Sequence, residues 1–127
     1  MGTDKRTEEL ARAAADTLAE VKGKDIVILE LSEVSAFADF FVIATAESHV
    51  QMLAMADRVR DKMAQEGLKK IGRSEGRESR SWILMDFGSL IVHIFSKQAR
   101  EYYSLEQFWG DARSILWPMD LNMDSKR

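Results

Sequence analysis

Apolar residues recur at helical spacing near the start of the chain. Four of them share one face of an α-helical repeat: Leu10, Ala14, Leu18 and Val21. The surrounding segment is rich in Ala, Glu, Lys and Leu, which favour helix. The pattern therefore predicts a first helix over residues 5–22. Gly23 follows this helix and is expected at its C′ position, where a left-handed backbone ends a helix.

Two short apolar runs come next, and both are typical of β-strands. The first covers residues 26–29, is mainly β-branched, and predicts a buried strand that ends near Leu31. The second lies within residues 37–45, and its centre at residues 40–44 has no polar alternation. A strand with that pattern is normally covered on both faces of its sheet.

A capping box marks the start of a second helix. Ser48 is followed three residues later by Gln51, and apolar residues then repeat at helical spacing. The helix is predicted over residues 49–66, because Gly67 can end it. Two further elements are expected beyond it, a short strand at residues 69–71 and an exposed, charged loop at residues 72–80.

Gly88 and Ser89 separate two apolar runs, at residues 82–87 and 90–95. Glycine at the first central position is what a type II′ turn requires, so the two runs predict an antiparallel hairpin. A two-residue turn also sets the register of the strands. The expected pairs are Phe87 with Leu90, Asp86 with Ile91, Met85 with Val92, Leu84 with His93, and Trp82 with Phe95.

The last part of the chain predicts short helices and a polar end. Ser104 and Gln107 repeat the capping-box pattern, which favours helices over residues 97–103 and 105–115. Pro118 and the polar residues after it are expected to form a mobile tail. The predicted order of helices and strands is typical of an α/β domain with a mixed sheet and flanking helices. With 127 residues, the chain has room for one such domain.

Composition excludes several classes of function and is consistent with the predicted fold. Hydrophobic residues make up 46% of the chain and charged residues 31%, which are globular values. The absence of cysteine excludes a thiol nucleophile, a disulfide scaffold and a cysteine-ligated metal site. A net charge of -3 disfavours direct binding to nucleic-acid phosphates. We find no signal peptide and no apolar window of roughly 18 residues, so we expect a cytoplasmic protein without membrane association.

One face of the predicted hairpin mixes aliphatic side chains with aromatic and polar ones. Its members are Trp82, Leu84, Asp86, Ile91, His93 and Phe95. Apolar anchors around a few orienting polar groups are typical of the centre of a binding surface. Asp86 and His93 are expected to lie diagonally within reach of each other. They are interpreted either as a hydrogen-bonded pair that satisfies two buried polar groups or as docking groups. Trp82 is likewise either a core residue or an interface anchor.

Metal and cofactor sites find little support in the sequence. His49 and His93 lie on different elements and outside any His-Glu-x-x-His pattern. Asp25 and Asp39 could hold Mg²⁺ if they converged, but each is also explained as an acid at the entry of a strand. We therefore expect neither a metal nor a cofactor.

Phosphate-binding motifs are also missing, because neither standard glycine-rich loop occurs. Residues 45–48 precede a predicted helix N-terminus, a position that can bind anions. Glu47 opposes a phosphate there, which favours the interpretation of this segment as a simple helix cap.

Taken together and in order, these residues resemble the Iojap family, the ribosomal silencing factors. The resemblance runs from Val21 to Trp109, and its specificity comes from the ordered set rather than from any single motif. Its landmarks are Asp25, the run Asp39–Thr45 with Ser48, Glu75 with Gly76, Trp82, Asp86 with Phe87 and Gly88, the run Val92–Phe95, and Arg100 with Tyr102, Tyr103, Leu105, Glu106 and Trp109. It implies a domain over residues 1–110, with residues 111–127 as a C-terminal extension outside the match.

The resemblance implies a nucleotidyltransferase-like fold that has lost its catalytic carboxylates, and so a protein that is not an enzyme. It implies binding to the large ribosomal subunit through ribosomal protein fourteen, which blocks joining of the small subunit and lowers translation when nutrients are scarce. Direct contact with rRNA is expected to be minor, and a homodimer is left open. The family's docking surface corresponds here to Trp82, Asp86, Phe87 and Gly88, to which we add His93 and Arg100 as candidate contacts.

Two other functions are kept as alternatives. One is a small nucleotidyltransferase-like or magnesium-dependent enzyme that uses Asp25, Asp39 or Asp86. The other is an RNA-binding module, whose affinity for isolated RNA would depend steeply on salt. The acidic net charge fits a protein partner with a basic surface and fits bare RNA poorly, and the phosphate-loop signature that the enzyme would need is absent.

Overall fold

Antiparallel and parallel strand pairing combine in one five-stranded sheet. The computed structural model describes residues 5–31, 38–68, 80–103, 113–115 and 117. In chain order the elements are α1 (Lys5–Glu20), β1 (Lys24–Glu30), β2 (Phe40–Ala46), α2 (His49–Gln65), β3 (Trp82–Asp86), β4 (Leu90–Ser96), α3 (Lys97–Tyr103) and β5 (Arg113–Ile115).

The strands lie in the order β3-β4-β2-β1-β5. Strands β2 and β4 run parallel to each other, and every other neighbouring pair is antiparallel. This confirms the prediction of an α/β domain with a mixed sheet and flanking helices. All seven residues of β2 are buried, as expected for an apolar strand at the centre of a sheet.

Helices α1 and α2 cover one face of the sheet, which we call the first face. Small residues on α1 let the helix approach the sheet closely, and methionines on α2 fill the space beside it. The core on this face includes Ala11, Ala14, Ala15, Leu18, Met52, Met55, Val59 and Met63 from the helices and Ile28, Val42, Ile83, Val92 and Ile94 from the strands. These residues have almost no exposed surface, so this is the main hydrophobic core.

The opposite face of the sheet, which we call the second face, carries a smaller apolar cluster. Its buried members are Leu29, Leu31, Ala38, Phe41, Ile43, Phe95 and Ala99. Ala99 comes from α3, so α3 packs on the side of the sheet opposite α1 and α2. The chain therefore leaves β2 toward the first face and leaves β4 toward the second.

The end of α1 differs in detail from the expected glycine cap. Lys22 adopts the left-handed backbone with a φ of 70°, and Gly23 is the next residue. The N–H of Gly23 donates to the Leu18 carbonyl at 2.9 Å, and that of Lys22 donates to Ala19, which is the Schellman arrangement. The prediction that Gly23 occupies C′ is therefore wrong by one residue. Glycine is needed because a Cβ at position 23 would lie 2.9 Å from the Leu18 oxygen and 3.0 Å from Met55 Cε.

The predicted Ser48 cap of α2 is confirmed, and the Gln51 side chain, which bonds Glu47 instead of the cap residue, also joins the two helices. Ser48 Oγ accepts from the Gln51 N–H at 3.0 Å. The Gln51 side-chain oxygen accepts from the Glu47 N–H at 2.6 Å, while its amide nitrogen donates to the carbonyls of Val21 at 2.9 Å and Lys22 at 3.0 Å. One side chain thus satisfies backbone groups at the start of α2 and at the end of α1.

The C-terminal prediction needs a correction. Residues 113–115 form β5, whereas a helix was predicted over residues 105–115. The open edge of β1 supplies the reason, because Ile28, Leu29 and Glu30 pair with residues 115, 114 and 113. Tertiary pairing overrides the local helical pattern here. The sheet thus extends past residue 110, the predicted end of the domain.

Three other predictions concern residues outside the described ranges: the strand at 69–71, most of the loop at 72–80, and the tail after residue 117. The predicted helix over 105–112 lies outside them too. Within the described ranges, none of the helices combines the length and apolar character needed to cross a membrane.

Replacing Gln51 with alanine is expected to destabilise the fold. The change removes three hydrogen bonds that satisfy helix-terminal backbone groups, and the expected loss in the free energy of unfolding is about 2 kcal/mol. Urea unfolding followed by circular dichroism measures this loss. Gln65→Ala is the matched control, because Gln65 is an exposed residue at the end of the same helix. Equal stability losses in the two variants would contradict the bridging role of Gln51.

Candidate functional site

The predicted hairpin register is confirmed. Strands β3 and β4 pair Trp82 with Phe95, Leu84 with His93 and Asp86 with Ile91. The Phe87 N–H donates to the Leu90 carbonyl at 2.9 Å and so pairs the two residues that flank the turn. Gly88 has a φ of 93° and Ser89 does not adopt a positive φ, as a type II′ turn requires.

Asp86 shapes this turn. Its Oδ1 accepts from the Gly88 N–H at 2.8 Å, which fixes the loop through an Asx-type bond. The Ser89 carbonyl then accepts from the N–H groups of Asp39 and Phe40, so the turn is also tied to the start of β2. Asp86 and Gly88 are partly exposed. The turn therefore presents a carboxylate on a backbone that is held at both ends.

No hydrogen bond joins Asp86 to His93, so the interpretation of these two residues as a hydrogen-bonded pair is wrong. His93 Nδ1 instead accepts from the indole Nε1 of Trp82 at 3.1 Å. Asp86 and His93 each have a different hydrogen-bond partner. Asp86 binds the backbone two residues ahead, and Trp82 lies on the same face of the hairpin as His93.

Aromatic rings surround the His93 imidazole. The Phe41 ring meets it edge to face with centroids 4.4 Å apart, and the Phe95 ring is stacked at 6.1 Å. The Trp82 ring lies 5.0 Å from Phe95 and 5.8 Å from His93. Edge-to-face and offset contacts of this kind stabilise a fixed arrangement of rings. Trp82 is thus held by ring contacts and by one hydrogen bond.

The protonation state of His93 follows from these contacts. Because Nδ1 accepts from the indole, the ring proton lies on Nε2 when the imidazole is neutral. Nε2 is buried and has no hydrogen-bond partner within the described part of the chain. Burial lowers the pKa of His93 from 6.5 to about 4, because the charged form would lose its hydration. His93 is therefore neutral near pH 7.

Four partly exposed residues form a surface on the second face, which we call the hairpin face: Trp82, Leu84, Asp86 and Ile91. Two aliphatic side chains and an indole lie there beside one carboxylate. The side chain of Trp82 is neither fully buried nor fully exposed, so it packs on its own domain and still presents area to solvent. This composition suits a protein interface, where aromatic anchors contribute most of the binding free energy.

Two predicted contact residues do not belong to the hairpin face. Phe87 is 2% exposed and packs in the main core on the first face, so any contact with a partner would come from the turn, as expected, and that contact stays a prediction. His93 is 3% exposed and lies beneath Trp82, whose indole donates to it, and its contact with a partner also stays a prediction. The alternation of side chains along β3 explains Phe87, since Asp86 and Phe87 point to opposite faces.

Arg100 lies away from the turn, at the other end of β4. Its guanidinium donates to Thr45 Oγ1 at 2.8 Å and so joins α3 to the end of β2. Thr45 is buried, and Arg100 is half-buried. The bond gives Arg100 a structural role, and the structure does not bring it together with the residues of the turn.

The sequence analysis missed two residues of this region. Phe41 packs against His93, and Thr45 binds Arg100. The apolar run of β2 already identified Phe41 as a strand residue. Its contact with His93, however, depends on the parallel register of β2 with β4. That register is set by tertiary contacts and could not be derived from a turn.

The carboxylates considered for magnesium do not converge. Asp25 lies near the start of β1 and Asp39 just before β2, and these strands are antiparallel. Their entry points therefore lie at opposite ends of the pair. Among the described residues, no group of three metal-ligating side chains comes together.

The burial of His93 predicts a loss of stability in acid. The folded state binds this proton with a pKa of about 4, whereas the unfolded chain binds it near 6.5. The unfolded state therefore holds more protons between these values, and the free energy of unfolding falls as pH decreases through that window. Once the pH is below both pKa values, protonation of His93 has lowered the free energy of unfolding by about 3 kcal/mol.

Urea unfolding between pH 7 and pH 4.5 measures this dependence. His93→Gln is expected to flatten the pH slope relative to the unmodified chain. His49→Gln removes the other histidine and serves as the matched control. A slope that His93→Gln leaves unchanged would contradict the assignment.

Comparisons with known proteins agree with this fold. A family model described as "Ribosomal silencing factor during starvation" matches residues 4–127. The ribosomal silencing factor RsfS of Halalkalibacterium halodurans is 39% identical over 108 residues, covering 85% of this chain and 92% of that protein. The chloroplastic protein Iojap of Zea mays is 37% identical over 111 residues, covering 87% of this chain and 46% of that protein.

Solved structures show the same architecture. A crystal structure of a protein from Chromobacterium violaceum superimposes with a TM-score of 0.78 at 33% identity, covering 89% of this chain and 92% of that one. A second, from Bacillus halodurans, has a TM-score of 0.74 at 31% identity and covers 86% of this chain. The family match over nearly the whole sequence and these relatives lead to one conclusion. The chain belongs to the family of ribosomal silencing factors, which are ribosome-associated regulators of translation.

Proposed function

We propose that this protein docks through its hairpin face on ribosomal protein fourteen of the large ribosomal subunit and thereby prevents the small subunit from joining. The observation that carries the proposal is the partly exposed indole of Trp82, held by His93 beside Leu84, Asp86 and Ile91. A positioned indole loses little conformational freedom on binding, so more of its contact energy contributes to affinity.

The mechanism requires no chemical step. A folded domain docked between two large rigid bodies keeps them apart for as long as it stays bound. Its effect then depends on affinity and residence time at the docking site. A surface with an aromatic anchor and aliphatic neighbours suits a protein that acts by docking and excluding the small subunit. We expect it to act in the cytoplasm.

Charge supports a protein partner with a basic surface. The chain carries a net charge of -3, and the hairpin face presents the carboxylate of Asp86. Complementary charge speeds encounter and favours one orientation of docking. A nucleic-acid partner would instead be repelled by the net charge of the chain.

Trp82→Ala is expected to weaken binding to isolated large subunits by about thirtyfold or more, the effect of losing an interface hot spot. The physical reason is the loss of the positioned indole from the centre of the hairpin face. Co-sedimentation with separated large and small subunits measures the affinity, and light scattering follows subunit joining. The variant should fail to inhibit joining at concentrations where the unmodified protein inhibits it.

Trp117→Ala is the matched control. Trp117 donates from its indole to Asp16 on α1 at 2.9 Å, and it packs against the main core, away from the hairpin face. Circular dichroism of both variants reports whether they are folded. Unchanged subunit binding by a folded Trp82→Ala protein would overturn the proposed docking surface. Equal affinity for naked rRNA and for whole subunits would favour an RNA-binding function instead.

Substitutions of Asp86 separate the charge of the carboxylate from its role in the turn. Asp86→Asn keeps an oxygen that can accept from the Gly88 N–H, so its free energy of unfolding should change by less than about 0.5 kcal/mol. Its association with the large subunit should slow, most clearly at low salt, because the negative charge is lost. Asp86→Ala should lose both stability and affinity. If only Asp86→Ala weakens binding, the carboxylate shapes the turn and does not meet a basic partner.

A further inference from the structure

An open crevice lies at the carboxyl ends of the two parallel strands. Ala46 ends β2, Ser96 ends β4, and both line a cavity of about 460 Å³. This crevice is at the opposite end of β4 from the turn at Gly88, so it is distinct from the loop that presents Asp86.

Chain topology explains why the crevice is open. From β2 the chain passes into α2 on the first face, and from the neighbouring β4 it passes into α3 on the second face. The two connections diverge, so neither helix covers the strand ends between them. In open α/β sheets, such a divergence at the carboxyl ends of adjacent parallel strands is where ligands bind.

Positive charge borders the cavity. Arg80 and Lys97 both line it, both are exposed, and neither forms an ion pair with any residue in the described segments. The N-terminus of the 17-residue helix α2 also faces this region and adds the positive end of its dipole. Glu47 is the opposing charge, and its carboxylate lies 3.9 Å from Lys24 Nζ. Lys24 thus lies beside the carboxylate of Glu47, the residue that disfavours an anion at residues 45–48.

Hydrogen-bond donors also collect at the crevice. The hydroxyl oxygens of Ser48 and Ser96 each accept one backbone N–H, from Gln51 and Ala99 respectively. Each hydroxyl therefore keeps its own O–H to donate. Donors from hydroxyl, guanidinium and ammonium groups suit a ligand that is rich in acceptor oxygens.

His49 also lies beside the crevice. It is the first residue of α2 and lines the cavity, and its Nδ1 is buried without a hydrogen-bond partner among the described residues. A buried polar atom without a partner is costly in a folded protein. This atom does not face the crevice, so other atoms of His49 line the cavity.

We propose that this crevice is a binding site for a small anion that carries a phosphate group. Arg80 and Lys97 pair with the phosphate oxygens, and the hydroxyls of Ser48 and Ser96 donate to them. A phosphate group offers several acceptor oxygens at once, which matches this set of donors better than an uncharged ligand does. The proposal does not depend on docking to the ribosome.

The test uses inorganic pyrophosphate as the probe and the ¹⁵N-labelled full chain at low salt. We expect amide chemical-shift changes that saturate and that concentrate at residues 46–50 and 96–98. Arg80→Gln and Lys97→Gln should each weaken the apparent affinity by about tenfold, because each removes a charge-assisted hydrogen bond. Both residues are exposed, so the variants are expected to keep the fold, which their spectra report directly.

Arg60→Gln is the matched control, because it removes one positive charge from an exposed position on α2 that does not line the crevice. It should bind pyrophosphate as the unmodified chain does. The proposal is overturned if the shifts are scattered over the surface or do not saturate. Equal weakening by Arg60→Gln would also overturn it, since the effect would then be one of net charge.

Discussion

The parallel pairing of β2 with β4 is the constraint on which the other features of this domain depend. Seven residue pairs join the two strands, from Phe40 with Leu90 to Ala46 with Ser96. The turn of the hairpin is tied to the start of β2 through the Ser89 carbonyl. The same pairing brings Phe41 beside Ile91 and next to His93, so the aromatic cluster exists only in this register.

The two faces of the central strands have different roles because different elements cover them. The first face is covered by α1 and α2, and the strand side chains described as buried there are apolar. The second face carries the imidazole of His93, whose one satisfied nitrogen holds Trp82. A neutral acceptor is essential at that position, because a protonated Nδ1 could no longer accept from the indole. Burial, by keeping the pKa low, thus preserves the geometry of the surface residue above it.

Local signals in the sequence were sufficient for two features governed by neighbouring residues. The capping box at Ser48 and the type II′ turn at Gly88 were predicted because the interactions that form them span a few positions. The hairpin face followed from that turn, since a two-residue loop sets the side-chain alternation. By contrast, Lys22 could not be identified as the left-handed residue, because glycine is needed at position 23 for a different reason, the close approach of the Leu18 carbonyl and of Met55 on α2. The bond between Arg100 and Thr45 also depends on tertiary placement.

The fifth strand has a consequence for how the chain matures. β5 comes last in the sequence but pairs with β1, which is made first among the strands. Until residue 115 has left the ribosome that synthesises it, the outer edge of β1 lacks this partner, and unpaired edges promote association between chains. Trp117 then binds Asp16, a residue 101 positions earlier. A product that ends before residue 113 would lack this closure, and the outer edge of its β1 would stay unpaired.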